Sequence, residues 1–316
     1  MPDQVNEAAV AGHHCIALND QFVGSAARWQ LACGGNDPAA IIVMDYPSLR
    51  PRVRLLGAKD KTFSFCWTDK DRLIAGSRDG CVRLYATGDA GGPVREPLQQ
   101  ADSGRIIRDM VHNTFSNRFA TLAGGCSSGT DTSCVKIWDL ASLSVTASYE
   151  PADKRHVFVC MAGDETESDC LVLGSSKEIG TDYWLMSTPH LTMVDPRVPD
   201  ITACQQILIP DLQSDVRSLS IRQHLITAGT GDGNIFFYDT RKPGEFCERL
   251  HSGPGWIRRD TNYNAAVEHH HLYAGSSGPR DQGIYTHAYS KSGDVLFTGG
   301  GPLRLGMTGS YGALWS

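Results

Sequence analysis

The residues best suited to chemistry are five cations in an acidic chain. Arg108 and Arg217 open the apolar alternations Arg108-Asp-Met-Val111 and Val216-Arg-Ser-Leu219, and Lys61 stands just before Thr62-Phe-Ser-Phe-Cys-Trp67. Arg105 lies close to Arg108, and Arg78 sits in the turn Arg78-Asp79-Gly80. The formal net charge is −6. Cations at equivalent places of such a chain repel one another unless an anion answers them. The anion could be a ligand bearing carboxylates or phosphates, or local pairing with Asp79, Asp109 and Asp215.

A second pattern is Asp-x-Arg, in Asp195-Pro-Arg197 and in Tyr238-Asp239-Thr-Arg241. The carboxylate could orient the arginine toward a partner, or the pair could serve only its own sheet edge. Other chemistry is poorly supported. The motif reading finds no nucleophile elbow, Walker loop or His-Glu-x-x-His, and Cys126, His112 and Asp131 lack the spacing of a triad. The 10 cysteines include no Cys-x-x-Cys pair. Cys66, Cys81, Cys134 and Cys160 read as reduced, buried thiols. His269-His-His271 reads as a solvated loop. We therefore expect no enzyme, metal or cofactor.

The charge argues against a general nucleic-acid binder. No stretch approaches the roughly 20 apolar residues of a membrane span. Met1 to Asn19 lacks a secretory pattern, so the expected compartment is cytoplasm, nucleus or both.

The elements that must position these residues recur about every 40 residues, the length of a WD40-type repeat. Clear copies are Leu73–Tyr85, Phe119–Gly125 with Val135-Lys-Ile-Trp-Asp139, and Leu225–Arg241. Short apolar strands bounded by Gly, Asp and Asn predict an all-β propeller. Six blades are expected near 13–58, 61–100, 105–150, 155–210, 215–250 and 283–316, in one domain over 1–316. Loops are expected at 177–189 and 242–282. Gly in Arg78-Asp79-Gly80, Gly231-Asp232-Gly233 and Ser292-Gly293-Asp294 supplies the positive φ of tight hairpins. Because the chain starts on a first strand and stops on a third, the reading favours a seven-bladed ring short at its N-terminus. A true six-bladed ring is the alternative.

Several runs occur in one order: Gly34-Gly-Asn-Asp-Pro38, Ala75-Gly-Ser-Arg-Asp-Gly80, Val194-Asp-Pro-Arg197, Val216-Arg-Ser-Leu219, Phe237-Tyr-Asp-Thr-Arg241, Ile284-Tyr-Thr-His287 and Gly309-Ser-Tyr-Gly-Ala-Leu-Trp-Ser316. In these the chain resembles the WD40-type substrate receptors of the cullin-4 RING ubiquitin ligase, with the twelfth of the adaptor-associated factors as nearest branch. The resemblance implies a non-catalytic receptor. It would dock on the damaged-DNA-binding-protein adaptor of the ligase through Arg241 and Asp239, then Arg197 and Asp195. It would hold clients by an acidic C-terminus of Glu-Glu type, with Arg78, Arg108 and Arg217 as pocket residues. Lys61 and Arg105 stand beside these. A chain ending in Glu-Glu offers three carboxylates, and arginine can hold each in a two-bond fork. The other readings are a general protein-assembly scaffold and an anion-reading propeller outside ubiquitin chemistry.

Overall fold

The computed structural model describes residues 13–18, 29–35, 41–46, 48, 50–87, 92–93, 98–99, 105–113, 116–124, 133–150, 157–163, 170–176, 190–197, 205–208, 216–231, 233–242, 246–251, 283–289, 293, 295–301 and 311–315. All their regular structure is β. Sheet 1 is β1 (His13–Leu18), β2 (Trp29–Gly35), β3 (Ile41–Tyr46) and β4 (Arg50–Leu55). Sheet 2 is β5 (Thr62–Asp69), β6 (Arg72–Ser77) and β7 (Cys81–Ala86), with β8 (Gly92–Pro93) and β9 (Leu98–Gln99) both pairing β7. Sheet 3 is β10 (Ile106–Asn113), β11 (Arg118–Gly124), β12 (Cys134–Asp139) and β13 (Ser144–Tyr149). Sheet 4 is β14 (Val157–Gly163), β15 (Leu171–Ser176), β16 (His190–Val194) and β17 (Gln205–Leu208). Sheet 5 is β18 (Val216–Arg222), β19 (Leu225–Thr230), β20 (Asn234–Asp239) and β21 (Phe246–His251). Sheet 6 is β22 (Gly283–Tyr289), β23 (Leu296–Gly301) and β24 (Tyr311–Trp315).

The chain packs as two compact units, the first holding sheets 1 to 3 and the second sheets 4 to 6, with the division at the start of β14. In each sheet the strands run in chain order and every pair that is resolved is antiparallel. Sequential hairpins explain this, because a short turn can join only antiparallel neighbours.

One packing rule recurs. A glycine on the second strand makes room for the first inward residue of the next sheet. A Cβ on Gly76 would collide with Ile107, one on Gly174 would lie 2.7 Å from Val216 Cγ1, and one on Gly229 would lie 2.7 Å from Ile284 Cγ2. Ile107, Val216 and Ile284 are fully buried. Within each unit the sheets thus nest face to face at their inner strands, and side chains such as Trp67, Leu73 and Tyr85 in the first unit and Ile226 and Tyr238 in the second fill the layers between them. The outer strand β4 exposes Arg50, Pro51, Arg52 and Arg54. Charge and proline there deter strand addition at an open edge.

A bulge sits near the start of the inner strand in five sheets, at His14, Phe63, Arg108, Arg217 and Tyr285. Arg108 and Arg217 are therefore equivalent, but the matching residue of sheet 2 is Phe63. Lys61 stands two residues earlier, which corrects the alignment drawn from sequence. The stretch 242–282, read as a loop, contains strand β21. The rest of it beyond 251, the loop 177–189 and the His269–His271 tract lie outside the described residues. Gly80, Gly233 and Gly293 do adopt positive φ, at 76°, 84° and 90°.

Candidate functional site: a basic rim and two arginine forks

Strand direction places the candidate residues at two ends of the sheets. The start of each inner strand adjoins the hairpin between the second and third strands: Thr62 pairs with Ser77, Ile107 with Ala123 and Val216 with Thr230. We call this the rim end. Third strands run away from it, so Asp195 and Asp239, at or just past their ends, lie at the opposite end.

In the first unit the rim brings together Lys61, Arg78 and Arg105, with Arg108 three residues along the strand. The backbone N–H of Arg78 donates to Lys61 O at 2.8 Å. Gly80 lies against the backbone of Arg105, where an added Cβ would stand 2.8 Å from the carbonyl oxygen. Gly80 is thus required by close approach as well as by its φ. Arg78 is half exposed, with Asp60 Oδ2 4.0 Å from its Nε. Arg105 donates to Glu150 Oε1 at 3.1 Å, and Arg108 Nε donates to Gly124 O at 3.1 Å.

Of the local carboxylates, Asp79 departs from that reading. Asp79 is engaged by Arg83 rather than by Arg78. Asp109 accepts from Ser64 Oγ at 3.2 Å and from the Met110 N–H at 2.8 Å. Asp215 lies outside the described residues. Arg217 sits half-buried at the rim end of sheet 5 in the second unit.

Sequence reasoning missed Arg83, which is 2% exposed. Its Nη2 donates to Asp79 Oδ2 at 2.6 Å, and its Nη1 to Asp79 Oδ1 at 3.1 Å and Ser77 Oγ at 2.7 Å. The same carboxylate accepts the Cys81 N–H at 3.1 Å, the Lys59 N–H at 3.3 Å and the Ser77 hydroxyl. Burial opposes its charge, but the bonds from Arg83, Ser77 and Cys81 outweigh burial and hold the carboxyl down to about 2. The available signal was an ionisable residue inside the apolar run Val82-Arg-Leu-Tyr85, four residues after an aspartate.

At the opposite end, two forks have the same geometry. Arg241 donates its backbone N–H and Nε to Asp239 Oδ1, both at 2.9 Å, and Nη2 to Oδ2 at 2.7 Å. Arg197 donates its backbone N–H and Nε to Asp195 Oδ1 at 3.0 and 2.9 Å, and Nη2 to Oδ2 at 2.6 Å. These hydrogen bonds hold both carboxyls below their ordinary range. Both arginines remain exposed while Asp239 is largely covered. Each carboxylate sets the direction of a cation that faces solvent. In sheet 3 the matching Asp139 instead accepts the Ser142 N–H at 2.7 Å and its hydroxyl at 2.8 Å. Closing the turn is therefore the general task of this aspartate, and the arginine is an addition in sheets 4 and 5.

The run Gly125-Cys-Ser-Ser-Gly129 has the Gly-x-Ser-x-Gly spacing that the motif reading passes over. It lies outside the described residues, between the paired strands β11 and β12, whereas a nucleophile elbow joins a strand to a helix. Cys126 and Asp131 also lie outside the described residues. Among the described residues no cluster of three His, Cys, Asp or Glu could hold a metal ion. No described helix is long and apolar enough to cross a membrane. Cys81, Cys134 and Cys160 are buried, while Cys247 is exposed. Burial, and secondarily Asp109, pushes the Cys66 thiol up to about 12.

Small antiparallel sheets, nested on a glycine-to-aliphatic contact and turning at tight glycine hairpins, have the build of β-propeller blades. Residues 165–316 match the family described as the DDB1- and CUL4-associated factor 12 beta propeller.

Proposed function

We propose that this protein is a non-catalytic substrate receptor of a cullin-4 RING ubiquitin ligase, in which the six sheets are blades of one WD40 propeller over residues 1–316. It docks on the ligase adaptor, the DDB1 of the family's name, through Arg241 and Arg197, oriented by Asp239 and Asp195. It takes clients at the rim end, where Arg78, Arg108 and Arg217, with Lys61 and Arg105, receive an acidic C-terminus of Glu-Glu type. The work is done in cytoplasm or nucleus. It needs no cofactor, nucleic acid or membrane.

The observation that carries this reading is the separation of tasks along sheet 5. Arg217 lies at one end of the sheet, and the Asp239–Arg241 fork lies at the other. Four to five residue rises along the strand separate their levels, about 15 Å. An adaptor on one end and a client on the other would not compete. The forks also suit docking. Their guanidinium groups are held in place before binding, so less conformational freedom is lost on contact.

The rim suits carboxylates. Planar guanidinium groups form paired bonds to each of them, and lysine would substitute poorly. Removing one partner of a desolvated pair costs on the order of 2–5 kcal/mol, or roughly thirtyfold or more in affinity.

The docking half is tested by copurification of the adaptor with Arg241→Ala and Arg197→Ala proteins. We expect Arg241→Ala to lose the adaptor at unchanged thermal stability, and Arg197→Ala to weaken it. Full retention by both folded variants would overturn the docking assignment and favour the general scaffold.

A further inference from the structure

The buried pair Arg83–Asp79 occupies a strand position where sheet 3 carries the buried cation Lys136 and sheet 5 an aromatic ring. Sheet 5 carries the same hairpin, with Thr230 matching Ser77, Gly233 matching Gly80, Asn234 matching Cys81 and Phe236 matching Arg83. In that hairpin the arginine comes from the outer strand: Arg249 donates its Nε to Asn234 Oδ1 at 2.9 Å and lies over the Phe236 ring. Thr230 Oγ1 accepts the Asn234 N–H and donates to its carbonyl, each at 3.0 Å. Phe236 fills the strand position with an apolar ring that is 2% exposed. A buried ion pair is seldom the most stable filling for such a space. Sheet 2 fills that space with an ion pair where sheet 5 fills it with an aromatic ring.

The surroundings of Arg83 indicate its use. The Asp79 carboxylate receives Lys59 N–H from the segment before β5, Ser77 from the end of β6, Cys81 from the start of β7, and Arg83 from within β7. These bonds fasten the turn that displays Arg78 to the segment bearing Lys61. The turn's next residue, Gly80, is in turn seated on Arg105.

We propose that Arg83 and Asp79 are positioning residues that hold the exposed Arg78 in the geometry in which the rim receives a client carboxylate. The inference rests on the acidic-client reading above and names the buried groups through which that site acts. Arg83 itself touches no ligand. Its guanidinium fixes Asp79, and Asp79 fixes the backbone on either side of Arg78. The rim is thereby ordered before the client arrives, which lowers the cost of binding.

The test uses the full chain and a labelled peptide ending in Glu-Glu. Arg83→Met alone strands a carboxylate and could fail to fold, so the informative protein is the double variant Asp79→Asn, Arg83→Met, which removes both charges. We expect it to fold, to bind the peptide about tenfold more weakly, and to lose affinity less steeply with salt. Arg78→Ala should weaken the wild-type protein about tenfold but change the double variant little, since Arg78 is already misplaced there. Equal affinity of wild type and the folded double variant would overturn the inference alone. So would an Arg78→Ala effect of the same size in both backgrounds. A folded wild-type protein that binds no peptide would overturn the inference together with the acidic-client reading.

Discussion

The hairpins of sheets 2 and 5 share a turn and differ in what lies beneath it. Both place glycine at positive φ, and both follow it with a buried strand. Beneath the first lies an ion pair whose carboxylate accepts from three further donors, and beneath the second an aromatic ring and a threonine that closes on the next strand. The difference lies in what each hairpin displays, since Arg78 stands on the first.

Three changes would break or sharpen this comparison. The largest effect should come from Phe236→Ala. It empties a fully packed position beside Tyr238, and cavities of this kind cost about 4 kcal/mol. Urea unfolding at neutral pH measures it, and no charge change elsewhere should rescue it. Next comes Arg83→Met, expected to cost about 3 kcal/mol by leaving Asp79 without its partner. Here the second change Asp79→Asn should restore most of the loss. Rescue in sheet 2 without rescue in sheet 5 would establish that the two hairpins are filled on different principles. The smallest is Thr230→Val, expected to cost about 1 kcal/mol by deleting the hydroxyl that closes the sheet 5 turn.

Acid sharpens the same contrast through two groups that titrate in separate windows. His287 lies between Ser218 and Ser220, with Nδ1 2.8 Å and Nε2 2.7 Å from their hydroxyl oxygens. Ser218 also donates to Ile284 O, so its oxygen accepts from Nδ1–H and Ser220 donates to Nε2. The ring is therefore neutral, and burial pushes it down to about 4. The unfolded chain binds this proton more readily. Stability is then fully present above the unfolded value of about 6.5 and lost as pH falls toward 4, by at most about 3 kcal/mol. Asp79 is also depressed, to about 2. Its contribution is present above the unfolded value of about 3.9 and is lost only as pH falls from there toward 2. Unfolding measured from pH 7 to 4 should therefore weaken through two histidines, His287 between sheets 5 and 6 and the half-buried His112 of sheet 3, which burial also pushes down, while the sheet 2 pair stays intact. His287→Gln should flatten its share of that window.

How much of this was legible in the sequence depends on the period being read. Inner strands such as Thr62–Asp69 and Val216–Arg222 announce themselves by apolar alternation, and the Asp-Gly turns by their composition. The Asp-x-Arg forks were visible because both members lie within three residues. The bulges were not, since one inserted residue shifts the count by one. That shift is why Lys61 was aligned with Arg108 when Phe63 holds the place. The outer strand Phe246–His251 was hidden in a supposed loop, because an edge strand such as Phe-Cys-Glu-Arg-Leu-His carries little apolar pattern. Arg83 escaped because a single cation in a strand reads as a solvent-facing residue. Only the fold shows that its head is turned inward onto Asp79.

The most direct test of the central claim is the affinity of the wild-type protein for a labelled peptide ending in Glu-Glu, set against the same peptide with a C-terminal amide and against Arg108→Glu and Arg217→Glu proteins. The account predicts binding that needs the free terminus and both arginines and that weakens as salt is raised. A folded protein that binds the acid and the amide equally, or neither, would contradict it.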